Sequence, residues 1–66
     1  MDIELNGAVH QVAEGQNLSE LVAALNLSNQ AIAVAVNRQI IARSLWQTHL
    51  LQPQDKVDVV RAIGGG

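Results

Sequence analysis

Cysteine is absent from the chain and aromatic residues are nearly so: Trp46 is present, but there is no phenylalanine or tyrosine. Without cysteine, the chain forms no disulfide and offers no thiol for nucleophilic catalysis, redox chemistry or zinc binding. His10 and His49 lie far apart in the sequence and lack a metal-ligand spacing, so we expect no metal site. The scarcity of rings also leads us to expect a core of aliphatic side chains.

Basic residues are few as well. Four of them against six acidic residues give a net charge of −2 and a pI of about 5.4. With so little positive charge and a single ring for stacking, we expect no binding to nucleic acid. No apolar run approaches the roughly 20 residues of a transmembrane helix, and the first residues lack the basic and apolar regions of a signal peptide. We therefore expect a cytoplasmic protein that does not bind membranes.

The side-chain sets of an enzyme are also missing. The 66 residues are enough for one domain, and they contain no nucleophile–base pair at a suitable spacing, no phosphate loop and little volume for a pocket. We interpret the acidic residues as solvated charges and, in one case, a helix cap. They are Asp2, Glu4, Glu14, Glu20, Asp55 and Asp58.

The first twelve residues have the pattern of a β-hairpin. Met1, Ile3 and Leu5 alternate with polar residues, which is the period of a half-buried strand. Asn6-Gly7 follows, and a type I′ turn favours this pair because both of its central positions need a positive φ. We predict that residues 8–12 form the returning strand.

A short amphipathic helix is predicted over residues 18–25. Asn17 is a good N-cap, and Glu20 stands three residues later, as a capping box requires. The apolar residues that follow are spaced to form one stripe along the helix. These residues are Leu18, Leu21, Val22 and Leu25.

Three further strands complete the predicted fold, at residues 32–36, 40–41 and 56–61. The apolar run at 32–36 is typical of a central strand. We predict turns at residues 37–39 and 53–55, and an irregular segment or one helical turn at residues 43–51. One helix on one face of a mixed sheet of four to five strands is a two-layer α+β domain of the β-grasp type, over residues 1–61.

The two faces of the predicted sheet differ in character. The predicted core consists of Ile3, Leu5, Val12, Leu18, Leu21, Val22, Leu25, Val34, Val36, Val57 and Val59. Strand parity puts Ala33, Ala35, Asp58 and Val60 on the outer face. Ala33, Ala35 and Val60 are therefore candidate contacts for a partner, although scattered apolar residues are also common on protein surfaces.

Residues 62–66 form a predicted flexible tail that ends in Gly64, Gly65 and Gly66. Glycine has no Cβ, so this backbone can pass through a narrow channel, and five extended residues span at most about 17 Å. An expression scar or a frayed end is the alternative explanation. We predict that a partner grips Ile63, Gly64 and Gly65 and activates the Gly66 carboxylate. Ile63 covering the sheet edge remains an alternative.

These features resemble the ThiS-family sulfur carriers of thiamine biosynthesis, which have a ubiquitin-like β-grasp fold. The resemblance covers the whole chain, and one departure is Ala42, where many relatives have proline. The residues that carry the resemblance are Asn6-Gly7, Leu18-Ser19-Glu20-Leu21, Ala35-Val36-Asn37 with Ile40-Ile41, Arg43-Ser44-Leu45-Trp46, and Asp55-Lys56-Val57-Asp58-Val59-Val60 before the glycines.

The resemblance implies a carrier that binds no cofactor of its own and is not an enzyme. An E1-like activating enzyme of the ThiF type would use ATP to adenylate Gly66. A sulfur-donor protein such as a cysteine desulfurase would convert it to a thiocarboxylate, and a thiazole synthase of the ThiG type would accept the sulfur. Three alternatives stay open: a molybdopterin synthase small subunit, a ubiquitin-like modifier, and a β-grasp interaction module that binds through its sheet face.

Overall fold

A computed structural model describes residues 1–61, in which five strands, one α-helix and one 3-10 turn are formed. The strands are β1 (Asp2–Leu5), β2 (Ala8–Gln11), β3 (Ile32–Val36), β4 (Gln39–Ile41) and β5 (Lys56–Arg61). The helix α1 spans Leu18–Ala24, and the 3-10 turn spans Arg43–Leu45. The predicted tail, residues 62–66, lies outside the described residues.

The strands form one mixed sheet in the order β2-β1-β5-β3-β4. Strand β1 pairs with β5 in parallel, and every other neighbouring pair is antiparallel. The sheet and α1 share one apolar core, so the predicted β-grasp α+β fold is confirmed. Strand β3 lies inside the sheet as predicted, but the middle position belongs to β5, which joins the N-terminal hairpin to the β3–β4 pair.

Both two-residue turns between neighbouring strands use positive φ angles. Asn6 and Gly7 have φ values of 49° and 84°, and Asn37 and Arg38 have 51° and 70°. These angles suit a type I′ turn, whose twist matches that of the flanking strands. The first turn was predicted from Asn6-Gly7. The second is one residue shorter than predicted, because Gln39 already belongs to β4.

Helix α1 begins with the predicted capping box. The Glu20 backbone N–H donates to Asn17 Oδ1 at 2.8 Å, and the Asn17 N–H donates to Glu20 Oε1 at 3.0 Å. A helix of seven residues is too short to be stable alone. Burial of Leu18, Leu21 and Val22 against the sheet therefore supplies most of its stability.

The core contains an aromatic ring, which corrects the expectation of an aliphatic core. Trp46 is only 4% exposed, and its indole N–H donates to the Ile41 carbonyl at 2.9 Å. Leu51 is also buried, whereas the predicted core residues Leu5, Leu25 and Val59 are only partly buried. The buried residues of the core are Ile3, Val12, Leu18, Leu21, Val22, Val34, Val36, Trp46, Leu51 and Val57.

Asp55 is buried, so its interpretation as a solvated charge is wrong. It is 8% exposed, and its carboxylate accepts hydrogen bonds from Asn37 Nδ2 at 3.1 Å and from the Gln52 N–H at 2.8 Å. Its backbone carbonyl accepts from the Glu4 N–H at 2.8 Å. One residue therefore connects β1, the β3–β4 turn and the loop that leads into β5.

We expect Asp55→Ala to lower the free energy of unfolding by about 1–3 kcal/mol, because two donors lose their acceptor inside the protein. Urea denaturation measures this change. Asp58→Ala is the matched control, since Asp58 is an exposed aspartate of β5, close to Asp55 in the sequence. The midpoint of this control variant should stay close to that of the unmodified chain. Equal midpoints for the two variants would contradict the role assigned to Asp55.

Candidate functional site

The sequence predictions for functional residues fall into two groups. Ile63, Gly64, Gly65 and Gly66 lie outside the described residues, so their assigned role stays a prediction. Val60, Ala33 and Ala35 lie on the outer face of the sheet, as strand parity predicted. The described part of the site is therefore this face together with the end of β5, from which the tail continues.

Four small or apolar side chains form one patch on the outer face, and we call it the outer apolar patch: Ala33, Ala35, Ile40 and Val60. The strand register pairs Ala33 with Val60 and Ala35 with Ile40, so the four are neighbours across β5, β3 and β4. Val60 is 60% exposed and Ile40 is 75% exposed. The sequence alone did not identify Ile40 as part of this patch, because only the register of β4 shows that Ile40 lies beside Ala35.

Charged residues separate this patch from the opposite edge of the sheet. Val9 on β2 is 77% exposed, but the next residues across the sheet are Glu4 on β1 and Lys56 on β5. Asp58 stands beside Ala35. The outer apolar patch is therefore confined to the side of the sheet formed by β5, β3 and β4.

An open groove lies beside the end of β5, and we call it the basic groove. It has a volume of about 430 Å³ and is lined by Ala31, Ile32, Ala33, Arg43, Val60 and Arg61. Two of the four basic residues of the chain line this groove, whereas no carboxylate is among its described lining residues. The groove therefore gives this end of the sheet a local positive charge in a protein that is negative overall.

Arg43 is held in place from three directions. Its guanidinium lies 4.5 Å from the centre of the Trp46 ring, which is the geometry of a cation–π contact. It also donates to the carbonyl of Gln30 at 2.8 Å and to that of Ser28 at 3.3 Å. These contacts attach the connection between α1 and β3 to the 3-10 turn, which fixes one wall of the basic groove.

The end of β5 is held differently on its two sides. Strand β3 pairs with β5 as far as Arg61. Strand β1 pairs with it only at Lys56 and Val57, and beyond that point the Asn6 side chain takes over, because Asn6 Oδ1 accepts from the Val59 N–H at 2.8 Å. The side chain of Asn6, in the turn between β1 and β2, thus makes the hydrogen bond that a neighbouring strand would otherwise make.

Other classes of site are not supported within the described residues. In residues 1–61 there is no group of three or more histidine, cysteine, aspartate or glutamate residues that could hold a metal ion. No helix in this part of the chain is long and apolar enough to cross a membrane.

Comparison with known sequences points to one family. The model of the ThiS family matches residues 3–66. The sulfur carrier protein ThiS of Escherichia coli K12 is 35% identical over 66 residues, and the match covers 100% of both chains. A thiazole synthase of Magnetococcus marinus is also 35% identical over 66 residues, but the match covers 100% of this chain and only 20% of that larger protein.

A solved structure agrees with these matches. The crystal structure of the thiamine biosynthesis protein ThiS from Geobacter metallireducens superposes with a TM-score of 0.86 at 28% sequence identity, covering 100% of both chains. The similarity therefore includes the arrangement of the sheet and helix as well as the sequence.

We expect Asn6→Gly to loosen the end of β5, because glycine keeps the positive φ of the turn but removes the acceptor of the Val59 N–H. Hydrogen exchange of the Val59 amide should become roughly five- to tenfold faster, as expected for the loss of one hydrogen bond. Asn6→Asp is the matched control, since it retains an acceptor oxygen, and it should leave this exchange rate nearly unchanged. Unchanged exchange in Asn6→Gly would show that the side chain does not hold β5.

Proposed function

Because the chain belongs to the ThiS family, we propose that it works as a sulfur carrier of thiamine biosynthesis and that Gly66 is the residue that carries the sulfur. The single observation that carries this proposal is the match with the Escherichia coli sulfur carrier, which covers all of both chains and so includes Gly64, Gly65 and Gly66. The matched carriers are ThiS proteins, which favours the thiamine pathway over the molybdopterin pathway.

Activation of Gly66 is the first chemical step that we propose. A carboxylate is a poor electrophile at neutral pH, so an oxygen of the Gly66 carboxylate first attacks the α-phosphorus of ATP. Pyrophosphate leaves and an acyl adenylate forms. An E1-like enzyme of the ThiF type supplies the ATP site, because the sequence of this chain contains no phosphate-binding loop.

Sulfur transfer is the second step. A sulfur nucleophile attacks the carbonyl carbon of the adenylate, and AMP leaves. Hydrosulfide gives the thiocarboxylate directly, whereas a protein persulfide gives an acyl disulfide, whose S–S bond a thiol must then cleave. The carrier has no cysteine, so the persulfide and the thiol belong to partner proteins such as a cysteine desulfurase.

The acceptor that we propose is a thiazole synthase of the ThiG type. Support comes from the Magnetococcus marinus thiazole synthase, in which a segment similar to this entire chain makes up 20% of the protein. A carrier and an acceptor that work together gain effective concentration when they share one chain. The carrier itself would perform no catalytic step and would act in the cytoplasm.

Recognition by these partners must come largely from the folded domain, because glycine residues offer no side chains to distinguish them. The outer apolar patch is suited to this role: Val60 and Ile40 are well exposed, and Val60 lies one residue before Arg61 at the end of β5. We propose that the activating enzyme binds this patch while the tail enters its ATP site.

We expect incubation with ATP, sulfide and the cognate activating enzyme to replace one terminal oxygen with sulfur, and intact-mass spectrometry detects the change. Deletion of Gly66 should abolish the mass gain, because the tail becomes one residue too short to place its carboxylate beside ATP. The urea denaturation midpoint of the variant shows whether folding is preserved. Sulfur incorporation at a terminal Gly65 would contradict the assignment of Gly66.

We expect Val60→Asp to weaken binding of the activating enzyme by about tenfold or more, because a carboxylate would be buried in an apolar interface. Val9→Asp is the matched control. Val9 is also an exposed valine of the outer face, but Glu4 and Lys56 separate it from the outer apolar patch. Isothermal titration calorimetry measures both affinities. If the two substitutions weaken binding equally, the patch is not the docking surface.

A further inference from the structure

Strand β5 changes from an inner strand to an edge strand along its length. On the side of the hairpin, the Val57 carbonyl accepts from the Asn6 N–H at 2.9 Å, and the Val59 N–H donates to Asn6 Oδ1 at 2.8 Å. Backbone groups of alternate residues point to the same side of a strand. The Val59 carbonyl and the Arg61 N–H therefore also point to this side, past the end of the hairpin.

We call these two backbone groups, the Val59 carbonyl and the Arg61 N–H, the open flank. Within residues 1–61, the pairing of β1 with β5 ends at Val57, and no hydrogen bond reaches either group from this side. The opposite side of β5 is fully occupied, because β3 pairs with it through Arg61. The open flank is thus the part of β5 that can accept another strand beside the start of the tail.

We propose that an extended strand of the activating enzyme pairs with the open flank, an inference that rests on the proposed function. An unpaired strand edge is a template for pairing with another chain, and strand addition obtains its affinity from main-chain hydrogen bonds. This form of recognition suits a tail of glycines, which present only backbone groups. A strand paired at Val59 and Arg61 would hold residues 62–66 extended and aim the Gly66 carboxylate.

Charge indicates the chemistry of the partner strand. Arg61 and Arg43 both line the basic groove, and no carboxylate is among its described lining residues. A strand that carries an acidic side chain next to Arg61 therefore complements this end of the sheet. A second copy of the chain fits less well, because pairing two copies through their open flanks would bring both Arg61 side chains onto one face of the joint sheet.

Chemical synthesis can test the backbone contact without changing any side chain, since the chain has only 66 residues. Replacing Arg61 by its α-hydroxy analogue turns the amide between Val60 and Arg61 into an ester and removes the Arg61 N–H. We expect kcat/KM for ATP-dependent adenylation of this analogue to fall about tenfold, the effect of losing one hydrogen bond and leaving its acceptor unpaired. The ester also makes the Val60 carbonyl a weaker acceptor for β3, so the urea denaturation midpoint should fall slightly, as it should in the control ester.

The matched control is the same substitution at Val9. Val12 and Met1 exchange backbone hydrogen bonds at 2.9 Å and 2.7 Å, so alternation along β2 points the Val9 N–H away from β1, at the opposite edge of the sheet. We expect the Val9 ester to be adenylated like the unmodified chain. Equal rates for the Arg61 ester and the unmodified chain would overturn the proposal, as would equal losses in the two esters.

Two further measurements distinguish a strand of the activating enzyme from the two alternative occupants of the open flank, the thiazole synthase and a second copy of the chain. If the Arg61 ester is adenylated normally but fails to pass sulfur to the thiazole synthase, the strand belongs to the acceptor and the proposal is wrong. If sedimentation shows self-association that the ester abolishes, the occupant is a second copy and the proposal is again wrong. Failure of the proposed function differs from all of these results, because the unmodified chain would then gain no sulfur.

A substitution of the Arg61 side chain tests whether the partner strand is acidic. Arg61→Glu in an all-amide chain should lower kcat/KM for adenylation by about tenfold at low ionic strength. The loss should shrink in high salt, because salt screens exposed charges. An Arg61→Glu chain that is adenylated like the unmodified one would overturn the choice of an acidic strand.

Discussion

The pairing of β5 on both of its sides is the interaction on which the rest of the structure depends. Within residues 1–61, no strand of the N-terminal hairpin pairs with β3 or β4, and β5 connects the two pairs into one sheet. The parallel contact with β1 joins residues close to the two ends of the chain. Such a contact closes a long loop and costs conformational entropy that only packing in the complete domain can offset.

Polar groups reinforce this pairing where the strands end. Asp55 binds the β3–β4 turn and the loop before β5, and the Asn37 side chain in turn accepts from the Lys56 N–H at 3.0 Å. At the other end of the strand, Asn6 receives the Val59 N–H. A small domain has a small core, so each of these hydrogen bonds accounts for a sizeable share of what keeps β5 in place.

The same strand connects the fold to the proposed function. Val57 faces the core, Val60 belongs to the outer apolar patch, and Arg61 borders the basic groove. A partner that binds the patch, the groove and the open flank would approach the start of the tail from three directions. In the proposed arrangement, the domain would supply recognition and direction, and the glycine tail would supply a carboxylate on a backbone slim enough to enter another protein's active site.

Local features of the fold were predictable from the sequence. Asn6-Gly7 determined the first hairpin through its tolerance of positive φ, Asn17 and Glu20 determined the start of α1, and alternation along β3 and β5 predicted the outer position of Ala33, Ala35 and Val60. Each of these depends on residues within a few positions of each other. The role of the glycine tail stays a prediction from composition, because residues 62–66 lie outside the described residues.

Only the tertiary structure decided the features that depend on contacts between distant residues. Asp55 is buried because the amide of Asn37 reaches it from another turn, and Trp46 is buried although its own segment has no periodicity. Ile40 joined the outer apolar patch through the register of β4, and β5 became an edge at Val59 because the hairpin turns back at Asn6. A sequence pattern encodes the preferred geometry of neighbouring residues, whereas burial and strand pairing depend on which distant segments meet when the chain folds.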